Sequence, residues 1–219
     1  MGAALYQTCI AGMNKEIMAL RILAFFTFFL SPVCAWCSVI ASDESAVFAS
    51  LSRMIWYSGS AIRIMLAMLV LFIPMLISFF RAHSLSRISG VQTLVCRICM
   101  VVSCAVLYLG AMWVMPSDGK TMTSENIWHG VLSFGGMLMI FLTYCLYTLF
   151  AFRTDRDGAC LLIGFLVFTL VTGSFAVLNV FDDKSYVIAS AVSELYVLVM
   201  LSVIGYMAYY LAYRSAGAN

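Results

Sequence analysis

Six long apolar segments follow one another along this chain, and no other feature of the sequence constrains the fold as strongly. Charged residues make up only 10% of the 219 residues, hydrophobic residues make up 64%, and the mean hydropathy is +1.03. A soluble domain carries roughly a quarter charged residues, so a chain of this composition belongs in a lipid bilayer. We place the segments at approximately 17–41, 56–80, 92–115, 127–152, 158–180 and 186–213.

Each segment is long enough to cross a bilayer as an α-helix. A spanning helix needs about 20 mostly apolar residues, because lipid offers no partner for backbone N–H and C=O groups and the helix satisfies them internally. The sequence therefore predicts an all-α fold, a polytopic membrane bundle of six transmembrane helices. We divide it into a cytoplasmic amino-terminal segment (1–16), the transmembrane domain (17–213) and a cytoplasmic tail (214–219). Pro32 and Pro74 lie inside proposed spans, where we expect them to kink the helix without ending it.

The distribution of basic residues predicts how the bundle is oriented, because Lys and Arg near span ends favour the cytoplasmic side. With the amino terminus inside, the cytoplasmic set is Lys15, Arg21, Arg81, Arg87, Arg97, Arg153, Arg156 and Arg214. Only Arg53, Lys120 and Lys184 are then external, and Arg63 lies inside a span. Both termini are predicted to be cytoplasmic, in a bacterial-type inner membrane. We interpret the first segment as an uncleaved helix; the alternative is a cleavable signal peptide over 15–35.

Four ionisable residues form the candidate ligand-binding site. Arg63 and Glu194 lie inside the second and sixth spans, at a similar depth below the outer surface, so they can form an ion pair if these spans are neighbours. Asp118 closes the third span and His129 opens the fourth, on either side of the polar connection MPSDGKTMTSENIWHG. Charged side chains at membrane depth are costly, and those that persist generally mark function. We expect an outward-facing polar cavity lined by Arg63 and Glu194 and rimmed by Asp118 and His129; the alternative is a purely structural ion pair.

The function favoured by this cavity is the binding of a lipid or small amphiphile. Arg63 would hold an anionic head group, and Glu194 would balance its charge. One alternative is a small transporter or scramblase subunit, in which Glu194 is a protonatable coupling group. Another is a non-catalytic partner of a larger membrane complex, or a homo-oligomer, that uses small-residue and aromatic helix faces for packing. The sequence has no long basic run, so we expect no nucleic-acid partner.

Signs of enzymatic chemistry are sparse, and the sequence favours a protein without enzymatic activity. Zinc catalysis needs about three converging protein ligands, whereas His83 and His129 are the only histidines and are predicted on opposite sides of the membrane. Asp118, Glu125 and His129 could supply three ligands from one loop, or a base for an outward-facing serine, but no cofactor motif accompanies them. The pairs Cys34/Cys37 and Cys96/Cys99 have metal or redox spacing; we interpret them as small residues at helix contacts.

Two further patterns concern helix packing and membrane anchoring. Gly130, Gly135 and Gly136, together with Ser133, predict a small-residue face on the fourth span that permits close approach of another helix. Four tyrosines crowd the end of the last span and are typical of an anchor at the membrane interface: Tyr206, Tyr209, Tyr210 and Tyr213.

The segment around the third and fourth spans resembles a known family. Val114-Met115-Pro116-Ser117-Asp118 and the later Ile127-Trp128-His129-Gly130 look like the Pro-x-Asp and His-Gly pattern of an uncharacterised bacterial six-helix integral membrane family. That family is related to the damage-regulated autophagy modulator group of eukaryotes, whose relatives act in lipid remodelling. Glu194, in Val-Ser-Glu-Leu-Tyr, is similar to an acidic residue in the sixth helix of that group. The resemblance implies a six-helix architecture; the bacterial family has no settled activity, so it implies no chemistry.

Reporter fusions test the orientation. Alkaline phosphatase, which is active only outside the cytoplasm, should be inactive when fused after Asn219 and active when inserted after Lys184, because the excess of basic residues keeps the carboxyl terminus inside. A fluorescent protein that folds only in the cytoplasm should give the reverse pattern. Phosphatase activity at the carboxyl terminus would contradict the proposed orientation.

Overall fold

All regular secondary structure in the described part of the chain is helical. A computed structural model describes residues 2–40, 61–86, 88–112, 124–181 and 190–217. The helices are α1 (Gly2–Phe25), α2 (Ser31–Ile40), α3 (Ala61–Leu85), α4 (Gly90–Met112), α5 (Ser124–Ala151), α6 (Arg156–Phe181) and α7 (Ser190–Gly217). A π-helical turn (Phe26–Leu30) joins α1 directly to α2, so these two helices form a single span.

The expected six spans are confirmed. Six helical stretches are long and apolar enough to cross a membrane: Asn14–Cys37, Met68–Leu85, Gly90–Met112, Ile127–Ala151, Arg156–Phe175 and Glu194–Gly217. Two helix ends lie beyond the predicted limits. Helix α3 continues to Leu85 instead of ending near 80, and α7 continues to Gly217 instead of ending near 213. Both extensions are polar, and hydropathy alone could not place them in a helix.

Large apolar side chains cover both the inside and the outside of the bundle. Phe79, Met100, Ile140 and Ile204 are fully buried, whereas Val91 on α4 and Phe175 on α6 are more than half exposed. Apolar residues on the outer surface would be unfavourable in water, but they match the hydrocarbon of a bilayer. This distribution is what a membrane protein requires.

Helix α7 lies at the centre of the arrangement. It packs along α3 and α6 and also touches α1, α2 and α5, while α4 packs mainly on α5 and α2 packs on α3. Helices α3 and α7 run in the same direction: Gly205 lies against Met75, and further along both Arg81 and Tyr209 reach Glu16. Helix α5 is parallel to them, since Phe79 contacts Tyr144 and His83 contacts Tyr147.

The two prolines lie inside continuous helical segments, as expected. Each proline lacks the N–H that would donate a helix hydrogen bond, and the first two spans accommodate both losses. Pro74 has no N–H, so the carbonyl of Val70, one turn earlier, loses its usual donor. The Ser31 hydroxyl of α2 donates to this carbonyl at 2.8 Å. Pro32 follows the π-helical turn, in which the N–H of Ser31 bonds to the carbonyl of Phe26, five residues earlier. The wider turn makes room for the ring of Pro32 against the preceding turn.

The predicted small-residue face of α5 is confirmed at two of its four positions. A methyl group added to Gly136 would lie 2.6 Å from the Cα atom of Leu107 on α4, and one added to Gly110 would lie 2.6 Å from the backbone nitrogen of Ser133. The backbones of α4 and α5 are therefore in direct contact there. Gly130 and Gly135, by contrast, have open space around them.

Replacing Gly136 should separate α4 from α5. We expect Gly136→Ala to lower the free energy of unfolding by about 1–3 kcal/mol, because backbone atoms of Leu107 cannot move aside as a side chain can. Gly135→Ala is the matched control and should be neutral or slightly stabilising, since alanine favours the helix by up to about 1 kcal/mol over glycine. Thermal unfolding in detergent measures both variants. Equal midpoints would contradict the close contact.

A double-mutant cycle tests the bond between α2 and α3. Ser31→Ala should destabilise the protein by roughly 1 kcal/mol, because the carbonyl of Val70 is left without a donor. In a Pro74→Ala background the same change should cost much less, since residue 74 then supplies its own N–H to that carbonyl. Unfolding in detergent gives the four free energies. An equal cost of Ser31→Ala in both backgrounds would show that the hydroxyl does not compensate for the proline.

Candidate functional site

The four residues predicted to form the outward-facing site are described to different extents. His129 is buried near the start of α5, at 7% exposure, and Glu194 is half-buried near the start of α7. Arg63 belongs to the first turn of α3, but its side chain lies outside the described residues, as does the whole of Asp118. Their convergence therefore stays a prediction.

The helices that carry these residues share a register. Gly205 lies against Met75, an offset of 205 − 75 = 130 residues between α7 and α3. The same offset places Arg63 level with residue 193, one residue from Glu194. The contact between Phe79 and Tyr144 gives an offset of 144 − 79 = 65 between α5 and α3, which places His129 level with residue 64. Arg63 and Glu194 thus differ in height by about one residue, or roughly 1.5 Å of helix rise, and His129 lies within a few residues of that level, since Tyr144 contacts both Phe79 and Gly205.

A charged network ties three helices together where α3, α5 and α7 finish. We call this the basic end, because Arg81, Arg153, Arg156 and Arg214 lie there. Glu16 of α1 forms an ion pair with Arg81 at 2.6 Å, and it also accepts a hydrogen bond from the buried Tyr209 hydroxyl. Arg81 is 47% exposed, so its ion pair adds at most about 1 kcal/mol. The network fixes α1 against α3 and α7, and it gives Tyr209 a specific partner beyond the anchoring role read from the sequence.

Next to this network, an aromatic cluster surrounds His83. The His83 ring lies 4.4 Å from Phe79 and 4.7 Å from Tyr147, measured between ring centroids. Its Nδ1 lies 3.0 Å from the carbonyl of Phe79, which can only accept, so Nδ1 carries a proton. Its Nε2 is buried without a hydrogen-bond partner among the described residues. All three side chains of the cluster are buried.

A cleft opens beside this cluster at the basic end. It has a volume of about 50 Å³ and lies between the ends of α3, α5 and α7 and the start of α6. Its walls combine polar and apolar side chains: Leu85, Ser86, Tyr147, Ala151, Thr154, Asp155, Gly158, Ala159, Leu162, Ala208, Leu211, Ala212, Ser215 and Ala216. Tyr147 connects the cleft with the His83 cluster, because it lines one and packs in the other. Among the described residues, this cleft is the clearest concave site.

Asp155 gives the cleft its one charged lining residue. Its Oδ1 accepts a hydrogen bond from the N–H of Gly158 at 2.9 Å, so Asp155 caps the start of α6. In the sequence, Asp155 lies in the polar connection RTDRDG between the fourth and fifth spans. An Asp directly before a long apolar segment is an N-cap signal, and this one was readable from the sequence. Ser86 and Ala212 come from distant parts of the chain and line the same cleft as Asp155. The sequence alone could not predict that these residues lie together.

Metal chemistry finds no support in the described ranges. No group of three His, Cys, Asp or Glu side chains within them could hold a metal ion. His83 lies level with Tyr147, 18 residues further along α5 than His129, so the two histidines are roughly 27 Å apart along the bundle. No disulfide joins Cys34, Cys37, Cys96 or Cys99 to another described cysteine, and Cys96 is buried in the core. The proposed three-ligand loop of Asp118, Glu125 and His129 falls largely outside the described residues.

No family model, curated protein or solved structure matches this chain. The resemblance to the bacterial six-helix family therefore stays a prediction, and function has to be argued from the site itself.

Proposed function

We propose that this integral membrane protein binds a lipid or small amphiphile with an anionic head group. The site is a polar cavity between α3, α5 and α7, at the end of the bundle where these helices begin. Arg63 holds the phosphate or carboxylate, Glu194 balances the charge, and Asp118 and His129 form the rim. The basic end then lies in the cytoplasm, and the cavity opens outward from an inner membrane of bacterial type.

The shared register of α3 and α7 is the observation that supports this proposal. Two parallel helices that pack along their length keep their relative heights, so Arg63 and Glu194 start from the same level. A guanidinium in a membrane interior needs an anion nearby, because an unpaired charge there is expensive. Glu194 alone would neutralise Arg63 and leave a structural pair. His129 and the predicted rim residue Asp118 would make the group larger than a pair requires, which favours a ligand.

Lipid binding by charge-removing variants tests the proposal. Native mass spectrometry of the full chain in detergent measures the affinity for phosphatidylglycerol. We expect Arg63→Gln to weaken binding by about tenfold or more, because a charge-assisted hydrogen bond to the phosphate is lost. Arg21→Gln is the control, since Arg21 is an exposed arginine on α1 that also contributes one positive charge. The control should leave the affinity unchanged.

A purely structural ion pair gives a different pattern. Arg63→Gln and Glu194→Gln would then each lower the unfolding midpoint, the double variant would regain part of the loss, and none would change phosphatidylglycerol affinity. That combination would refute the proposed function. Weaker lipid binding by Arg63→Gln with an unchanged midpoint would support it.

A further inference from the structure

The cleft at the basic end offers hydrogen-bond acceptors on its polar side. The Ser86 hydroxyl donates its proton to the carbonyl of His83 at 3.3 Å, and the Thr154 hydroxyl donates to the carbonyl of Ala151 at 3.0 Å. The Thr154 oxygen therefore offers a ligand only lone pairs, whereas the Ser86 oxygen also has the Tyr147 hydroxyl as a hydrogen-bond neighbour. Asp155 is an acceptor as well, and Oδ1 uses only part of its capacity on the N–H of Gly158. An acceptor set that includes a carboxylate selects a ligand that donates several hydrogen bonds and carries positive charge.

Asp155 keeps its charge available to such a ligand. Asp155 forms no ion pair with any of the described residues. Its neighbours Arg153 and Arg156 are exposed, and the Arg156 guanidinium lies 5.8 Å from the ring centroid of Phe152. Asp155 thus lines the cleft, whereas neither arginine does.

Three arginines adjoin the lining residues in the chain, whereas the charged residue of the lining itself is acidic. Arg153 and Arg156 flank Thr154 and Asp155 in the chain, and Arg214 precedes the lining residue Ser215. Arginines hold phosphate groups well, because the guanidinium donates several hydrogen bonds in one plane. An ammonium inside the cleft and a phosphate at its rim would complement both charges.

The remaining wall is apolar and continues into the membrane-spanning helices. Leu85, Leu162 and Leu211 line the cleft from α3, α6 and α7. Alanines at Ala151, Ala159 and Ala212 leave the space that larger side chains would fill. Such a wall accommodates the glycerol backbone and the first methylene groups of acyl chains, which a soluble metabolite lacks.

We propose that this cleft binds the head group of a phospholipid that carries a primary ammonium, with the ammonium on Asp155, Ser86 and Thr154 and the phosphate on the adjoining arginines. The site is separate from the outward-facing cavity, at the other end of the bundle, and does not depend on it. A trimethylated head group fits poorly, because it has positive charge but no N–H to donate.

Paired lipids of equal charge test the proposal. The full chain in detergent is titrated with phosphatidylethanolamine and with phosphatidylcholine of identical acyl chains, and bound lipid is counted by native mass spectrometry. We expect phosphatidylethanolamine to bind about tenfold more tightly, since a charged donor shared by several acceptors distinguishes the two lipids. Equal affinities in the unmodified protein would overturn the proposal.

One substitution removes the charge without removing the helix cap. Asparagine caps helices as well as aspartate does, so Asp155→Asn should leave the unfolding midpoint unchanged while reducing the preference to about twofold or less. Asp157→Asn is the matched control, because Asp157 is an exposed residue in the first turn of α6 that does not line the cleft. Its preference should equal that of the unmodified chain. A preference that survives Asp155→Asn would overturn the proposal.

Two further measurements complete the test. The first distinguishes a lipid from a soluble ligand, and the second distinguishes the cleft from the outward-facing cavity. Free phosphoethanolamine at millimolar concentration should not displace the lipid; displacement would assign the cleft to a soluble ligand and contradict the lipid. Glu194→Gln should leave the ethanolamine preference intact, because Glu194 belongs to the other end of the bundle. A loss of preference in Glu194→Gln would contradict the assignment to the cleft.

Discussion

Backbone hydrogen bonding in an apolar solvent is the constraint on which the whole bundle depends. Each proline in a spanning helix removes one donor, and lipid cannot replace it. The bond from Ser31 to the carbonyl of Val70 resolves the loss at Pro74 with a side chain from the neighbouring span. A local defect in α3 thus becomes a specific attachment between the first and second spans, which places α1 beside α7 as well.

Charge is used at the two ends of the bundle and avoided between them. At the basic end, Glu16 joins Arg81 and Tyr209, and Asp155 lies among arginines. At the other end, Glu194 lies level with the position of Arg63. The middle of the bundle is packed by Met75, Tyr144 and other buried side chains. This division is the basis of the two sites proposed above, one for an anionic group and one for an ammonium.

The number and approximate limits of the helices were predictable from sequence, whereas their pairing was not. Apolar length alone determines a span, because the membrane thickness sets a single physical requirement. Pairing depends on contacts that sequence spacing does not distinguish. Gly135 and Gly136 are adjacent and chemically identical, yet only Gly136 touches α4. Likewise, Glu16 was read as part of a flank before the first span, and its contact with Tyr209, 193 residues away, required the fold. The outward-facing site stays a prediction, because Asp118 and the Arg63 side chain lie outside the described residues.

The π-helical turn has a geometric effect on the first span. Leu23, Thr27, Ser31 and Ala35 are all buried, at a constant spacing of four residues. In an ordinary α-helix, four residues overshoot one full turn by about 40°, so such a row would wind away from α3 and α7. The extra residue in Phe26–Leu30 absorbs this drift and keeps both halves of the span in phase. A shortening of the turn by one residue would rotate the second half by about 100° relative to the first and point Ser31 away from Val70. The π-helical turn therefore sets the rotation of α2 about the helix axis relative to α1.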